Sequence, residues 1–380
     1  MIYADNAATT KLDIDAFEAM KPFLLEEYAN ASQPYSFSRK VKKAILEARA
    51  TIAMCIGALP EEIFFTSGGT ESDNWAIKGT VFQNVTAGVI TSQIEHHAVM
   101  NACAAVERQG VPVVYLPVDE QGIVHQESLK KVVTDYHRIV SIMYANNEVG
   151  TIQPIRELCE IAHQHNVIFH TDAVQAVAHV PINVHDLGLD MLSASAHKFN
   201  GMKGVGFLYI RKGIEIERYS DGGMQESGMR AGTENVAGII AMAAALKKNC
   251  DCMEAYTSHM RRLKEIILCI LSENMVDFIC NGAPDALPGI LSISFRNADG
   301  EKLLHRLDLM GVCVSTGAAC DSRNTKVSHV LEAMRVPPEY AKGTIRISLG
   351  NGNTENDAVT ITNALVKILT SKSMRDKRKD

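Results

Sequence analysis

Four stretches of this 380-residue chain carry reactive or charged side chains just beyond apolar, β-branched runs. Thr66-Ser67-Gly68-Gly69-Thr70-Glu71-Ser72 follows EIFF, and Glu95-His96-His97 follows GVITS. Asp172 and Gln175 follow NVIFH, and Ser195-Ala196-His197-Lys198 follows DMLSA. A lysine amine condenses with carbonyls, a buried carboxylate keeps a ring nitrogen protonated, and a flat imidazole stacks on a ring. Small residues at a strand-to-helix junction aim backbone N–H groups at a phosphate. Taken singly, each stretch has a plainer reading: a tight turn with Thr70 as N-cap, a structural histidine, a solvated lysine. Their shared placement at strand ends asks for pyridoxal phosphate (PLP), whose ring is an electron sink.

A fifth stretch, VCVSTGAACDSRNTKVSHVL, sets Cys320 among small and polar residues. A thiol kept for packing sits among bulky apolar neighbours, so Cys320 is a candidate working thiol on a mobile loop. Cys250-Asp-Cys252 and the pair Cys159 and His163 have no second pair at zinc-site spacing, and no metal site is expected.

The elements that must position these groups alternate. Val41, Ala44, Ile45, Ala48, Ile52 and Ile56 keep the three–four spacing of a helix that Gly57 ends. EIFFTS, GVITS, VPVVYLPV, RIVSIMYA, NVIFHTD, LDMLSASA and GVGFLYI read as strands, with helices after Gly69, from His97 and over 155–165. The expected fold is α/β, a mostly parallel sheet flanked by helices, with ligands at the carboxyl ends of the strands. From about Cys252 the order loosens: a long amphipathic helix, the turn-rich NGAPDALPG, ILSISF, TIRISLG and a final helix suggest a smaller α+β domain. The expected division is a large domain over 14–252 and a small one over 1–13 and 253–380 that carries the Cys320 loop.

Composition narrows the function classes. A net charge of −6 gives no global basic field for nucleic acid or an anionic membrane. The longest apolar stretch, Val236 to Leu246, is far shorter than the ~20 residues a membrane span needs. MIYADNAATTKL does not read as a secretory signal, and nine scattered cysteines suit reduced thiols, so a cytoplasmic location is expected.

SASAHKFNGMKGVGFLYI, EIFFTSGGTESDNWAIKG, NNEVGTIQP, HTDAVQA, GMRAGTEN and VSTGAAC together resemble the cysteine desulfurases of NifS/IscS type. These belong to the class-V aminotransferase group, with the fold-type I architecture of PLP enzymes, and the likeness runs from Tyr3 to about Thr354. The resemblance implies that Lys198 bonds the cofactor covalently, Asp172 pairs with its ring nitrogen, His96 stacks on the ring, and Gln175 meets the ring hydroxyl. It assigns the phosphate to Gly69, Thr70, Ser195 and His197, with Thr233 of the second subunit of a homodimer. Asn147 then lies beside cofactor and substrate, Arg346 clamps the carboxylate of L-cysteine, and Cys320 takes its sulfur as a persulfide for an acceptor protein, such as an iron–sulfur scaffold. The chain departs from the family pattern at Asn30-Ala31-Ser32-Gln33-Pro34-Tyr35, at Gly201-Met202-Lys203 and at Gly222-Gly223-Met224-Gln225-Glu226-Ser227. PYSFSRK has some likeness to selenocysteine lyases of the same fold, and a PLP-binding scaffold without turnover is the alternative of another class.

Overall fold

A computed structural model describes residues 1–82, 87–316 and 327–371. Cys320 therefore lies outside the described residues. The strands are β1 (Ile2–Tyr3), β2 (Ile63–Thr66), β3 (Gly88–Ser92), β4 (Val113–Leu116), β5 (His137–Ser141) and β6 (Ile168–Asp172). They continue as β7 (Met191–Ser195), β8 (Gly206–Ile210), β9 (Phe278–Asn281), β10 (Ile290–Phe295), β11 (Val312–Cys313) and β12 (Thr344–Ser348).

Seven strands form one sheet in the order β2-β8-β7-β6-β5-β3-β4. All neighbours from β4 to β7 are parallel, and only β8 runs against its two neighbours. Residues β3, β6, β7 and β8 are buried throughout, as expected of a sheet covered on both faces. Alternate side chains feed two cores. Ile90, Val140, Phe169 and Leu192 pack on one side, against helices Arg39–Ile56, Ile155–His163 and Val236–Asp251. Val89, Ile139, Ile168 and Met191 pack on the other, against helices Gly69–Val81 and His97–Glu107.

A second, three-stranded antiparallel sheet, β12-β10-β9, has its own core with Leu263 and Ile267 of helix Met253–Glu273 and Ile361 and Leu365 of helix Glu355–Thr370. The first residues of the chain join this part: β1 pairs in parallel with β11, and Asp5 bridges to Ser348.

Local details differ from the expectation at three places. The regular part of the RIVSIMYA strand stops at Ser141, because Met143 N turns to the Glu95 carboxyl on the β3 side, while Ile142 N and Tyr144 N still donate to His170 O and Asp172 O of β6. The N-cap of helix Gly69–Val81 is Gly68 at φ 147°, not Thr70, because only glycine takes that backbone conformation readily. FICN pairs with β10 as β9, although its half-exposed residues carry no clear alternation.

Candidate active site

From β3 the chain crosses outward to β4, then returns to β5 on the other side of β3. That reversal opens a crevice at the carboxyl ends of β3 and β5, where ligands of open α/β sheets bind. A cavity of about 320 Å³ lies there. Gly69, Thr70, His96, Asn147, Asp172, Gln175, Ser195, His197, Lys198 and Arg346 all line it. Thr233 is exposed and lies off the cavity of its own chain.

Each group is set by the element before it. His96 caps helix His97–Glu107, its Nδ1 accepting from Ala98 N at 3.1 Å. Asp172 ends β6, and its Oδ1 accepts from Val174 N at 2.9 Å. Lys198 closes the turn after β7, where its Nζ donates to the carbonyls of Ala7 (2.6 Å) and Ala8 (2.8 Å). Gln175 Nε2 donates to the same Ala7 carbonyl at 3.0 Å. His197 Nδ1 lies 3.1 Å from Thr9 Oγ1. Arg346 sits on β12, with Nη1 donating to Asn147 O and Nη2 to Asp5 Oδ1, each at 2.8 Å. Its buried Nε has no hydrogen-bond partner among the described residues.

The small residues make room for close backbone approach. A Cβ on Gly69 would meet Val174 Cγ2 at 2.5 Å, so the helix start presses against the segment after Asp172. A Cβ on Gly206 would lie 2.4 Å from Ala194 O and 2.7 Å from Gly68 Cα, so β8 passes directly beneath the glycine turn. Gly69 and Thr70, in the first turn of a 13-residue helix, line the cavity, an arrangement that suits a phosphate.

Burial pushes the Asp172 carboxyl up, against the pull of His96 and Lys198. Burial lowers His96 and, with help from Lys198 and Lys203, takes His197 down to about 4, so His197 is neutral near pH 7. Asp73, also in the cavity wall, is raised well above the carboxylate range by burial and by Asp172. Beneath these groups His170 is pushed down to about 3 by burial and bridges Ser141 (2.8 Å) and Ser193 (2.9 Å). At the inner wall Asp172 is held by a single backbone hydrogen bond, and Asp73 Oδ1 has no hydrogen bond among the described residues. A cationic ring nitrogen relieves such a carboxylate, and the helix start takes a phosphate, so the residues present fit PLP.

Sequence reasoning missed Asp5, Ala7, Ala8 and Asp73 as wall residues. YADNAATT and ESDN held the only signal, an acidic residue in a stretch of small and polar ones. The cysteines weighed as ligands take other roles: Cys159 Sγ donates to Gly188 O, and His163 pairs with Asp190 at 2.7 Å. Among the described residues no cluster of three His, Cys, Asp or Glu side chains is placed to hold a metal ion. No described helix is long and apolar enough to cross a membrane.

Comparison with known proteins agrees with this fold. Residues 2–360 match the family described as Aminotransferase class-V. The chain is 48% identical to a protein of Dictyoglomus turgidum named cysteine desulfurase IscS, covering 97% of this chain and 94% of that one. A protein of the same name from Methanosarcina thermophila is 44% identical, over 97% and 92% of the two chains. A solved structure titled NifS-like protein superimposes with a TM-score of 0.91 at 38% identity, over 97% and 99%. Another, titled SspA in complex with cysteine, gives 0.83 at 32% identity, over 93% and 100%. The chain belongs to the class-V aminotransferase family, among the proteins of NifS/IscS type.

Proposed function

We propose that this chain is a PLP-dependent cysteine desulfurase that converts L-cysteine to L-alanine and takes the sulfur onto Cys320. The observation that carries this reading is the convergence of Lys198, Asp172, His96 and Arg346 on one cavity at the sheet's reversal point. Lys198 would hold the cofactor covalently, Asp172 its ring nitrogen, His96 its face and Gln175 its ring hydroxyl. Gly69, Thr70, Ser195 and His197 would hold its phosphate, completed by Thr233 from the second subunit of a homodimer. Bound PLP supplies an electrophilic carbon for the substrate amine and a ring that takes up negative charge.

The protein's own residues do the rest. Arg346 fixes the substrate carboxylate through its planar fork, with Asn147 and Asp5 holding the guanidinium. Lys198, resting on two carbonyls when not bonded, moves the α-proton of the substrate. The Cβ–S bond of L-cysteine then breaks while an S–S bond forms to Cys320 Sγ. A thiol and L-cysteine give a persulfide and alanine, so the sum balances without external oxidant or reductant. On this reading the chain divides into a large domain over 14–252 and a small one over 1–13 and 253–380; the small one would carry the Cys320 segment, and an acceptor protein would collect the sulfur from it. A cytoplasmic setting suits the free thiols.

Cys320→Ala tests the reading. The variant should bind PLP and show the visible absorbance of a bound cofactor, yet form no protein persulfide and no alanine from L-cysteine beyond background. Full sulfur transfer by that variant overturns the assignment of Cys320. Failure of the wild-type protein to release alanine from L-cysteine overturns the activity.

A further inference from the structure

Two roots flank the segment that carries Cys320: one bonds Arg346 of the cavity wall, the other bonds Glu148 and Glu95, the chain neighbours of the wall residues Asn147 and His96. On the N-terminal side Ser315 exchanges backbone bonds with Arg346, N to O at 3.1 Å and O from N at 2.7 Å. On the C-terminal side Ser328 Oγ donates to Glu148 Oε2 at 2.6 Å. Next to it His329 Nε2 lies 3.0 Å from the Glu95 carbonyl, and its ring meets His97 edge-on at 5.2 Å.

The partners of the C-terminal root are themselves held by hydrogen bonds. Asn146 is fully buried; its Nδ2 donates to Ile94 O at 2.9 Å and its Oδ1 accepts from the amides of Glu148 (2.8 Å) and Val149 (3.0 Å). Glu148 directly follows Asn147, whose carbonyl holds Arg346. Glu95 directly precedes His96 and accepts from Met143 N at 3.0 Å. Glu148 and Ser328 are both buried. One short loop thus holds the proposed substrate clamp and the root of the nucleophile's segment, while neither Glu148 nor Ser328 lines the cavity.

We propose that Glu148 and Ser328 are positioning residues for sulfur transfer: their bond registers the Cys320 segment against the loop that orients Arg346. The inference rests on the function proposed above. Reacting atoms must approach to about 3–3.5 Å in line, and a nucleophile on a ten-residue span inherits its starting point from its roots. The bond acts on that approach and not on cofactor or substrate binding, which fall to other residues.

The test uses the PLP-loaded full chain carrying Glu148→Ala, Glu148→Gln or Ser328→Ala. Three quantities are read: cofactor retained on dialysis, the L-cysteine concentration that half-saturates the absorbance change of the bound cofactor, and the single-turnover rate of persulfide formation on Cys320 by mass spectrometry. Glu148→Ala and Ser328→Ala should slow persulfide formation at least tenfold, with cofactor retention and half-saturation within twofold of wild type. Glu148→Gln keeps an oxygen acceptor for Ser328 and should recover to within threefold. Persulfide rates within twofold of wild type in both alanine variants overturn the proposal. So does an equal loss in binding and rate, which marks a general structural role. If Glu148→Ala does not fold, Ser328→Ala alone decides by the same criteria. A wild-type protein that forms no Cys320 persulfide overturns the functional reading and this proposal with it; wild-type persulfide with unaffected variants overturns this proposal alone.

Discussion

Glu95 offers a test of the electrostatics beneath the cavity that does not depend on turnover. Its carboxyl is fully buried, accepts from Ser92 Oγ at 2.5 Å, and faces Met143 N through both oxygens at 3.0 and 3.1 Å. Burial pushes it from 4.5 to about 8; those hydrogen bonds pull it down and the Asp172 charge pushes it further up. An acid raised on folding favours the protonated native state. Its contribution is therefore complete below pH 4.5 and is lost as the pH rises to about 8. Within that window the loss is about 1.4 kcal/mol per pH unit, or about 2.7 kcal/mol between pH 5.5 and 7.5. Glutamine has the shape of the neutral acid and does not titrate. Glu95→Gln should therefore gain about 2.7 kcal/mol relative to wild type on going from pH 5.5 to 7.5, whatever its offset at either pH. Urea unfolding of both PLP-loaded proteins at the two pH values measures this, because titrating groups that do not interact with Glu95 cancel in the difference. A difference between the proteins that is the same at both pH values, within about 0.5 kcal/mol, refutes a neutral buried Glu95.

Two further substitutions test the geometry of the wall. Arg346→Lys loses the fork that spans Asn147 O and Asp5, and should raise the KM for L-cysteine at least tenfold in an alanine-release assay; an unchanged KM removes Arg346 as the carboxylate clamp. Gly206→Ala places a methyl 2.4 Å from Ala194 O, and the overpacking should cost about 1–3 kcal/mol in urea unfolding and speed PLP loss on dialysis. Unchanged stability would show that β8 does not need to pass so close beneath the glycine turn.

The α/β architecture was legible because its strands are short β-branched runs buried on both faces, and the polar residues that end them stand out. His96, Asp172 and Lys198 could be singled out for that reason alone. The reversed direction of β8 could not, since a strand buried on both faces carries the same pattern in either sense. Nor could the place of Ala7 and Ala8, whose carbonyls meet a lysine about 190 residues away; small residues announce no long-range partner. Asp73 sits one helical turn after Thr70, where an acid reads as an ordinary first-turn residue, and only the packed structure turns it beneath Asp172.

The first ten residues have a consequence for how the protein is made. They lie over Lys198, and although Thr10 N donates to His197 O, most of their bonds reach late residues: β1 pairs with β11, and Ser348 accepts from Asn6 N at 3.0 Å through its carbonyl and from Ala7 N at 3.0 Å through its hydroxyl. Ser348 leaves the ribosome about 150 residues after Lys198, which is roughly 8–30 s later at about 5–20 residues per second. Through that interval the nascent chain has its sheet and its lysine but not the wall that closes over them, so the cavity is complete only once Ser348 is in place.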